Sequence, residues 1–173
     1  WQTAADSIQK CINICVDGDT IYVANGIYKE NLVINTAISL IGSSMDSTVI
    51  DGTNLTTITV HLLPPGIGGS IENFKILGKG FNQGAVILTE KSLLIKNCRL
   101  LNDQRGISII NNSVITNNII ITNVANGYYS SCISDTCNNY FFNNLILISV
   151  SNATGFQIGL GGTIYFANNI VLF

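Results

Sequence analysis

Short apolar runs of three to five residues alternate with polar turns along this 173-residue chain, and asparagine recurs between them at regular intervals. The phrases that carry this pattern are SIENFKIL, LLIKNCRLL, VITNNIIIT, YFFNNLILI and YFANNIVLF. Their shared position falls, with spacings of 24, 21, 26 and 25 residues, at Asn73, Asn97, Asn118, Asn144 and Asn169. A repeat of roughly 20 to 30 residues indicates a solenoid, because each repeat can bury its apolar face only against its neighbours.

The apolar runs are rich in isoleucine, valine, phenylalanine and threonine, which favour β-strands, and helical periodicity is missing after residue 15. A second phased feature lies between successive asparagine phrases, in the segments GAVIL, GISII and GFQIG, which begin at Gly84, Gly106 and Gly155. A longer version, GYYSSCIS, occupies the equivalent place in another repeat. Each repeat is therefore predicted to contain about three short strands joined by tight turns, which indicates an all-β parallel β-helix.

The recurring asparagines have a physical explanation in such a fold. Asparagine tolerates a left-handed backbone at modest cost, so it suits a sharp bend between two strands. Stacked coils lie about 4.8 Å apart, so that the side-chain amides of equivalent asparagines can bond to one another. We therefore predict that the five aligned asparagines form a structural ladder, at about 1 kcal/mol for each bond. The alternative is an asparagine-rich composition with no structural role.

The segment TAADSIQKCINIC at the beginning of the chain is the one good helix pattern. Thr3 and Asp6 resemble a capping box at its start. We predict a capping helix within residues 1–16 that covers the first coil, and coils over residues 19–173, together one domain over 1–173. The residues that share one face of this helix are Ala4, Ile8, Cys11, Ile12 and Cys15.

The first 60 residues resemble the opening of the pectin lyase-like superfamily. The motifs that carry the resemblance are, in order, Gly-Asp-Thr-Ile after the helix, a Gly-x-Tyr-x-Glu turn (Gly26, Tyr28, Glu30), an Ile-Ser-Leu-Ile-Gly strand, and a Thr-Val-Ile-Asp-Gly turn (Thr48 to Gly52). The chain is most similar to secreted and surface-exposed members, and more distantly to pectin methylesterases. The resemblance implies a right-handed parallel β-helix, here of about five to six coils, with an N-terminal capping α-helix.

The catalytic patterns of that superfamily are missing from this chain. Pectin methylesterases carry paired aspartates and an arginine on neighbouring coils, whereas the acidic residues after position 60 are Glu72, Glu90, Asp103 and Asp135, in other contexts. Pectate lyases use several calcium-binding aspartates on the first-strand face. Here we predict that the outward positions of that strand are Val86, Ser108, Cys132 and Gln157. Calcium coordination and acid–base catalysis therefore have no evident residues, and we expect neither a cofactor nor a metal.

A polar cluster is predicted in the turn before this strand, on successive coils. In the family, this rim borders the groove that holds polysaccharide, so Lys79 and Arg105 would contact a uronate carboxylate while Asp103 orients the arginine. A solvated surface ion pair is the alternative. Tyr128, with Tyr129, would offer a sugar ring an aromatic platform; the alternative is one ring pointing in and one pointing out.

Composition narrows the possible partners. Charged residues make up 10% of the chain and the net charge is −2, so nucleic acid is not an expected partner, and no apolar run is long enough to insert in a membrane. The five cysteines lack metal-ligand spacing; they are interpreted as small buried thiols, or as one bridge such as Cys132 to Cys137. The only histidine, His61, has no carboxylate close to it in sequence and is predicted to be an exposed strand residue.

Both ends of the chain bear on its function. A chain that begins with Trp1 is expected to be a processed or excised product, and FANNIVLF ends it on an apolar strand that further coils or another subunit would cover. The leading hypothesis is a secreted or cell-surface module, not an enzyme, that binds polysaccharide or mediates adhesion. The alternatives are a self-assembling structural subunit that stacks through this end, and a fragment of a polysaccharide lyase or hydrolase.

Overall fold

The computed structural model describes residues 5–53, 58–66, 68–78, 85–90, 92–102, 105–110, 112–122, 126–130, 137–149, 154–159 and 161–173; the side chains of 85–86, 102, 105 and 126–130 lie outside this description. The described residues form one short helix and twenty strands. In chain order these are α1 (Ile8–Ile12), β1 (Thr20–Val23), β2 (Gly26–Tyr28), β3 (Leu32–Ile34), β4 (Ser39–Gly42), β5 (Thr48–Asp51), β6 (Val60–Leu62), β7 (Ser70–Glu72), β8 (Lys75–Gly78), β9 (Ala85–Thr89), β10 (Leu93–Lys96), β11 (Arg99–Asn102), β12 (Arg105–Ile109), β13 (Ser113–Thr116), β14 (Ile119–Thr122), β15 (Asn126–Ser130), β16 (Asn138–Phe142), β17 (Leu145–Ile148), β18 (Thr154–Ile158), β19 (Thr163–Ala167) and β20 (Ile170–Leu172).

The strands are distributed over three parallel sheets, and each sheet takes every third strand. Sheet A has the order β1-β4-β7-β10-β13-β16-β19, sheet B has β2-β5-β8-β11-β14-β17-β20, and sheet C has β18-β15-β12-β9-β6-β3. We call three consecutive strands, one from each sheet, a coil. The prediction of an all-β chain built from parallel sheets is confirmed, and the arrangement is consistent with a parallel β-helix.

The core lies between the three sheets and consists of stacked aliphatic columns. In sheet A the central inward column runs from Leu40 through Ile71 and Ile95 to Ile115 and Phe141. All five side chains are buried, and they belong to one continuous cluster. Burying one such side chain contributes roughly 1.5–3 kcal/mol, so these columns hold successive coils together. Each apolar run is short because one strand adds only one or two side chains to these columns.

Helix α1 is shorter than the predicted 1–16. It begins after Ser7, whose Oγ accepts a hydrogen bond from the Lys10 N–H, while Thr3 lies outside the described residues. The carboxylate of Glu30, from the turn between β2 and β3, accepts bonds from the N–H groups of Ile8 and Gln9 at 2.8 and 3.0 Å. The glutamate of the Gly-x-Tyr-x-Glu motif therefore fixes the start of the helix to the first coil, and it satisfies donors that a helix leaves unpaired.

A left-handed residue marks the corner between sheets A and B in five successive coils. These residues, with φ between 53° and 62°, are Asn73, Asn97, Asn117, Asn143 and Asn168. In every case the strand of sheet B begins two residues later, so this residue sets the register of the corner. Asparagine adopts this conformation more readily than other non-glycine residues, which explains its recurrence.

The five asparagines that were aligned in the sequence form two stacks rather than one. Asn73 and Asn97 occupy the left-handed position, and the Asn97 Nδ2 group donates to Asn73 Oδ1 at 3.2 Å. The other three lie one residue later, on the inner side of the corner, where they are buried or half-buried: Asn118, Asn144 and Asn169. The two positions coincide in the sequence pattern because the earlier coils contain one asparagine where the later coils contain two.

The inner stack is a continuous ladder of amides. Asn118 Nδ2 donates to Asn144 Oδ1 at 3.1 Å, and Asn144 Nδ2 donates to Asn169 Oδ1 at 2.9 Å. Each oxygen also accepts the backbone N–H one coil below, and the last such donor is the N–H of Cys98. The ladder therefore satisfies buried backbone groups at a corner where strands cannot pair.

The cysteines do not share one environment. Cys11 and Cys15 are half-buried free thiols, and Cys98 is a fully buried one. Burial raises the pKa of Cys98 to about 12, so this thiol is unreactive at neutral pH. Cys137 is disulfide-bonded, which overturns its interpretation as a buried thiol and fits the alternative of a bridge; Cys132 lies outside the described residues.

Candidate functional site

The outward face of sheet A carries an apolar column that leads to two tyrosines. Residues on a strand alternate between faces, and because Leu93 and Ile95 are buried, the intervening Leu94 points outward. The register places its equivalents on the next three strands at Val114, Tyr140 and Tyr165. The column therefore ends in aromatic rings on β16 and β19.

The two tyrosine rings stack along the direction in which the coils repeat. The centroids of Tyr140 and Tyr165 are 4.7 Å apart and their planes differ by 8°, and Phe142 lies beside Tyr140 at 6.0 Å. Tyr165 is 44% exposed, so the stack borders solvent instead of filling a core. Each ring covers one face of its neighbour, so this tyrosine platform offers a ligand its outer ring face, its ring edges and its hydroxyls.

A shallow groove of about 250 Å³ adjoins this platform. Leu94, Val114 and Tyr140 line it on the apolar side, and polar residues, among them Asn112 and Asn138, lie along the adjacent turns. The Asn138 N–H donates to Asn112 Oδ1, which ties two successive turns together. The groove combines apolar side chains with amide groups, and none of the described residues that line it is charged.

Two opposite charges on the same face of sheet A neutralise one another. Glu72 and Lys96 occupy the neighbouring outward column on adjacent strands, and Lys96 Nζ lies 3.8 Å from Glu72 Oε2. Both side chains are partly exposed, so the pair contributes little to stability. Among the described residues, the outward face of sheet A is consequently close to neutral, and it would select ligands by shape and hydrogen bonding more than by charge.

The outward face of sheet C contains a histidine–carboxylate pair that sequence reasoning missed. His61 Nε2 lies 2.7 Å from Glu90 Oε1, and the two side chains are 26% and 34% exposed. Strands β6 and β9 pair so that Leu62 meets Thr89, which brings together residues that are 29 positions apart. His61 lies in strand β6, but it is half-buried rather than exposed, and pairing between coils supplies a carboxylate that is distant in sequence.

The predicted polysaccharide-binding residues fall largely beyond the described part of the chain. Lys79 and Asp103 lie outside it. Arg105 begins β12 opposite Ala85, and Tyr128 lies in β15 beside Ile107, but the side chains of Arg105 and Tyr128 are not described. The predicted basic rim and its aromatic partner remain predictions.

The outward column of sheet C is only partly the predicted one. Ser108 pairs with Leu88, and Leu88 pairs with His61, so Leu88 takes the place assigned to Val86. Ser108 itself is 7% exposed, whereas Gln157 is exposed. The prediction differs from the structure because the three glycines are not equivalent: Gly106 and Gly155 lie within β12 and β18, whereas Gly84 comes before β9. Cys132 lies outside the described residues.

Within the described ranges, no three His, Cys, Asp or Glu side chains come together in a group that could hold a metal ion. Within the same ranges, no helix has the length and apolar character needed to cross a membrane.

The pKa of Asp51 is lowered because the side chain and the N–H of Thr53 both donate hydrogen bonds to its carboxylate. These bonds lie within one turn, so they indicate local structure rather than catalysis.

The sequence contains a signal from which the tyrosine platform could have been predicted. The phrases YFFNN and YFANN place an aromatic pair at the same phase of two successive coils, with Tyr140 and Tyr165 in the first position. The inward partners Phe141 and Phe166 stack at 5.2 Å, so alternation sends one ring of each pair inward and the other outward.

Comparison with protein-family models, with curated proteins and with solved structures finds no match to this chain.

Proposed function

We propose that this chain is a non-catalytic module at the cell surface or in the secreted space, and that it binds polysaccharide or mediates adhesion. The observation that carries the proposal is the outward stack of Tyr140 and Tyr165, with parallel rings 4.7 Å apart. Sugar rings have apolar faces and hydroxyl edges, which match flat aromatic rings flanked by amides. A platform that extends along the coil axis suits a polymer better than a small metabolite.

The fold proposal is a right-handed β-helix of the pectin lyase-like type, of about five to six full coils, with α1 as its N-terminal cap. Parallel strands joined by crossovers are right-handed in about 98% of cases, which supports the handedness. Ile8 and Ile12 are buried in the core cluster, and Glu30 fixes the helix start, which supports the role of α1 as a cap.

The extracellular location is supported by the disulfide at Cys137. Disulfides persist in oxidising compartments and are rare in the cytosol. The low charge content of 10% fits a surface that meets neutral polymers. Thiol counting in denatured material from the natural source, before and after reduction, would test this proposal, because an equal count in both samples would contradict it.

Affinity gel electrophoresis tests polysaccharide binding directly. The wild-type chain should be retarded in gels that contain at least one polymer from a panel of neutral and acidic polysaccharides. Tyr165→Ala should lose most of that retardation, because it removes half of the stack. Tyr22→Ala is the matched control, since Tyr22 is a 68% exposed tyrosine at the other end of sheet A. Normal mobility of the wild type in every gel would overturn the proposal.

A second candidate, self-assembly, is favoured by the exposed apolar residues of the last strands. Phe166, Ile170 and Leu172 are 43%, 56% and 53% exposed, and an apolar groove of about 360 Å³ opens beside Val171. Unpaired edges with such residues associate readily. Sedimentation at rising concentration should show association that Ile170→Glu abolishes. A monomer at every concentration would rule this candidate out.

A further inference from the structure

The groove beside Tyr140 has the form of a site for a single sugar ring. One face of the Tyr140 ring is covered by the Tyr165 ring, which is nearly parallel to it at a centroid distance of 4.7 Å. On the other side the register partner is Val114, a smaller side chain, and Leu94 continues beyond it. The step from a large ring to small aliphatic residues creates the groove, with the tyrosine as its wall and the aliphatic residues as its floor.

The residues along the rim of the groove offer uncharged hydrogen-bonding groups. Asn112 is exposed, and its Oδ1 accepts the Asn138 N–H, which holds the amide beside the groove. The Nδ2 group of Asn112 is then available to donate to a hydroxyl. Ser92 lies on the preceding turn and also lines the groove. Hydroxyl and amide groups can donate to and accept from sugar hydroxyls, whereas they do not neutralise a carboxylate.

We propose that this groove binds one neutral pyranose unit of a polysaccharide, with an apolar sugar face against the Tyr140 ring and hydroxyls toward Asn112. This inference rests on the proposed polysaccharide-binding function and names its site and substrate class. Among the described residues the lining contains no charged side chain, and the Glu72–Lys96 pair on the same face balances its own charge. A uronate would lose the hydration of its carboxylate without gaining a counter-charge, so neutral sugars are preferred.

The size of the groove limits what it encloses. Its volume of about 250 Å³ lies just below the roughly 300–1,000 Å³ of pockets that bury drug-sized ligands. It therefore holds one ring, while neighbouring units of the polymer lie in the open. Tyr165 covers the opposite face of the Tyr140 ring and holds that ring in place, which explains why both tyrosines contribute although only one borders the groove.

The test uses affinity gels that contain neutral polymers (β-glucan, galactomannan, xylan) or acidic polygalacturonate. Val114→Gln fills the floor of the groove without adding charge, and it should weaken binding to the retarding neutral polymer by about tenfold or more. Tyr140→Phe keeps the ring and should stay within about threefold of wild type, whereas Tyr140→Ala should follow Val114→Gln. Tyr22→Ala serves again as the exposed tyrosine control, and circular dichroism checks that each variant is folded.

The outcomes separate this site from the wider proposal. Retardation by a neutral polymer that Val114→Gln abolishes supports the site. Retardation by polygalacturonate alone, or equal retardation of wild type and folded Val114→Gln, overturns the site but leaves polysaccharide binding intact. Normal mobility of the wild type in all gels overturns both.

Discussion

Replacement of Asn144 by alanine tests whether the inner amide ladder stabilises the fold. The Asn144 side chain takes part in four hydrogen bonds. Its Oδ1 accepts from the N–H and the Nδ2 group of Asn118, at 3.0 and 3.1 Å. Its Nδ2 group donates to the carbonyl of Ile115 and to Asn169 Oδ1, at 3.0 and 2.9 Å. Alanine removes all four.

The expected cost follows from these bonds and from their burial. At about 1 kcal/mol net for each bond, four bonds amount to about 4 kcal/mol. Asn144 is 2% exposed and Asn118 is 1% exposed, so the Asn118 N–H and the Ile115 carbonyl lose their partners where water does not reach them. We therefore expect Asn144→Ala to lower the free energy of unfolding by about 3–6 kcal/mol, a large part of the roughly 5–15 kcal/mol of a typical domain.

Urea denaturation followed by circular dichroism measures this loss, with Asn143→Gly as the matched control. Asn143 is the adjacent residue of the same corner, exposed and left-handed with φ of 55°, which glycine adopts without strain. This control should change stability by about 0.5 kcal/mol or less, because lower strain offsets the greater freedom of the unfolded chain. If both variants lose equally little, the ladder does not stabilise the fold and the reasoning fails.

Three further predictions concern single residues. Cys98→Asn should leave stability unchanged or raise it by about 1 kcal/mol, because the new amide extends the ladder beyond Asn118; a loss larger than that of Cys98→Ala, measured by urea denaturation, would contradict this. Glu30→Gln should cost about 1–3 kcal/mol through weaker bonds at the start of α1, and a thermal midpoint equal to wild type would refute it. Thr53→Ala should raise the lowered pKa of Asp51 toward 3.8; because that pKa is lowered by folding, its contribution is present above pH ~3.8 and lost as pH falls, and NMR titration of the carboxylate checks the shift.

Much of the fold was accessible from sequence because a solenoid repeats its local rules. The isoleucine-rich runs became strands, and the asparagines marked the corner between sheets A and B. The register of that corner was not accessible. Single and double asparagines look alike in an alignment, and only the pairing of Lys96 with Glu72 and with Thr116 shows that Asn97 is equivalent to Asn117.

The sites were less predictable because they depend on contacts between coils. His61 and Glu90 are 29 residues apart and meet only because their strands pair in a particular register. Tyr140 and Tyr165 carried a phase signal, but its meaning depended on which ring of each pair points outward, and that follows from burial of Phe141. The local sequence thus predicted the strands, whereas the location of the candidate binding surface could be found only from the way in which the strands pair.

The chemistry of the outward faces explains why sheet A is the best ligand surface. In a solenoid, residues at the same position of successive repeats form a stripe along the surface. The outward face of each sheet therefore has its own chemical composition. In sheet B the outward column that contains Lys75 and Arg99 continues as the aliphatic side chains of Ile119 and Leu145, and this later part offers apolar area but no hydrogen bonds. Sheet A alone, among the described residues, stacks aromatic rings with hydroxyls beside amides. Since recognition of a polymer of sugar rings requires both apolar faces and hydrogen-bonding edges, this stripe is where affinity should grow with the length of the bound chain.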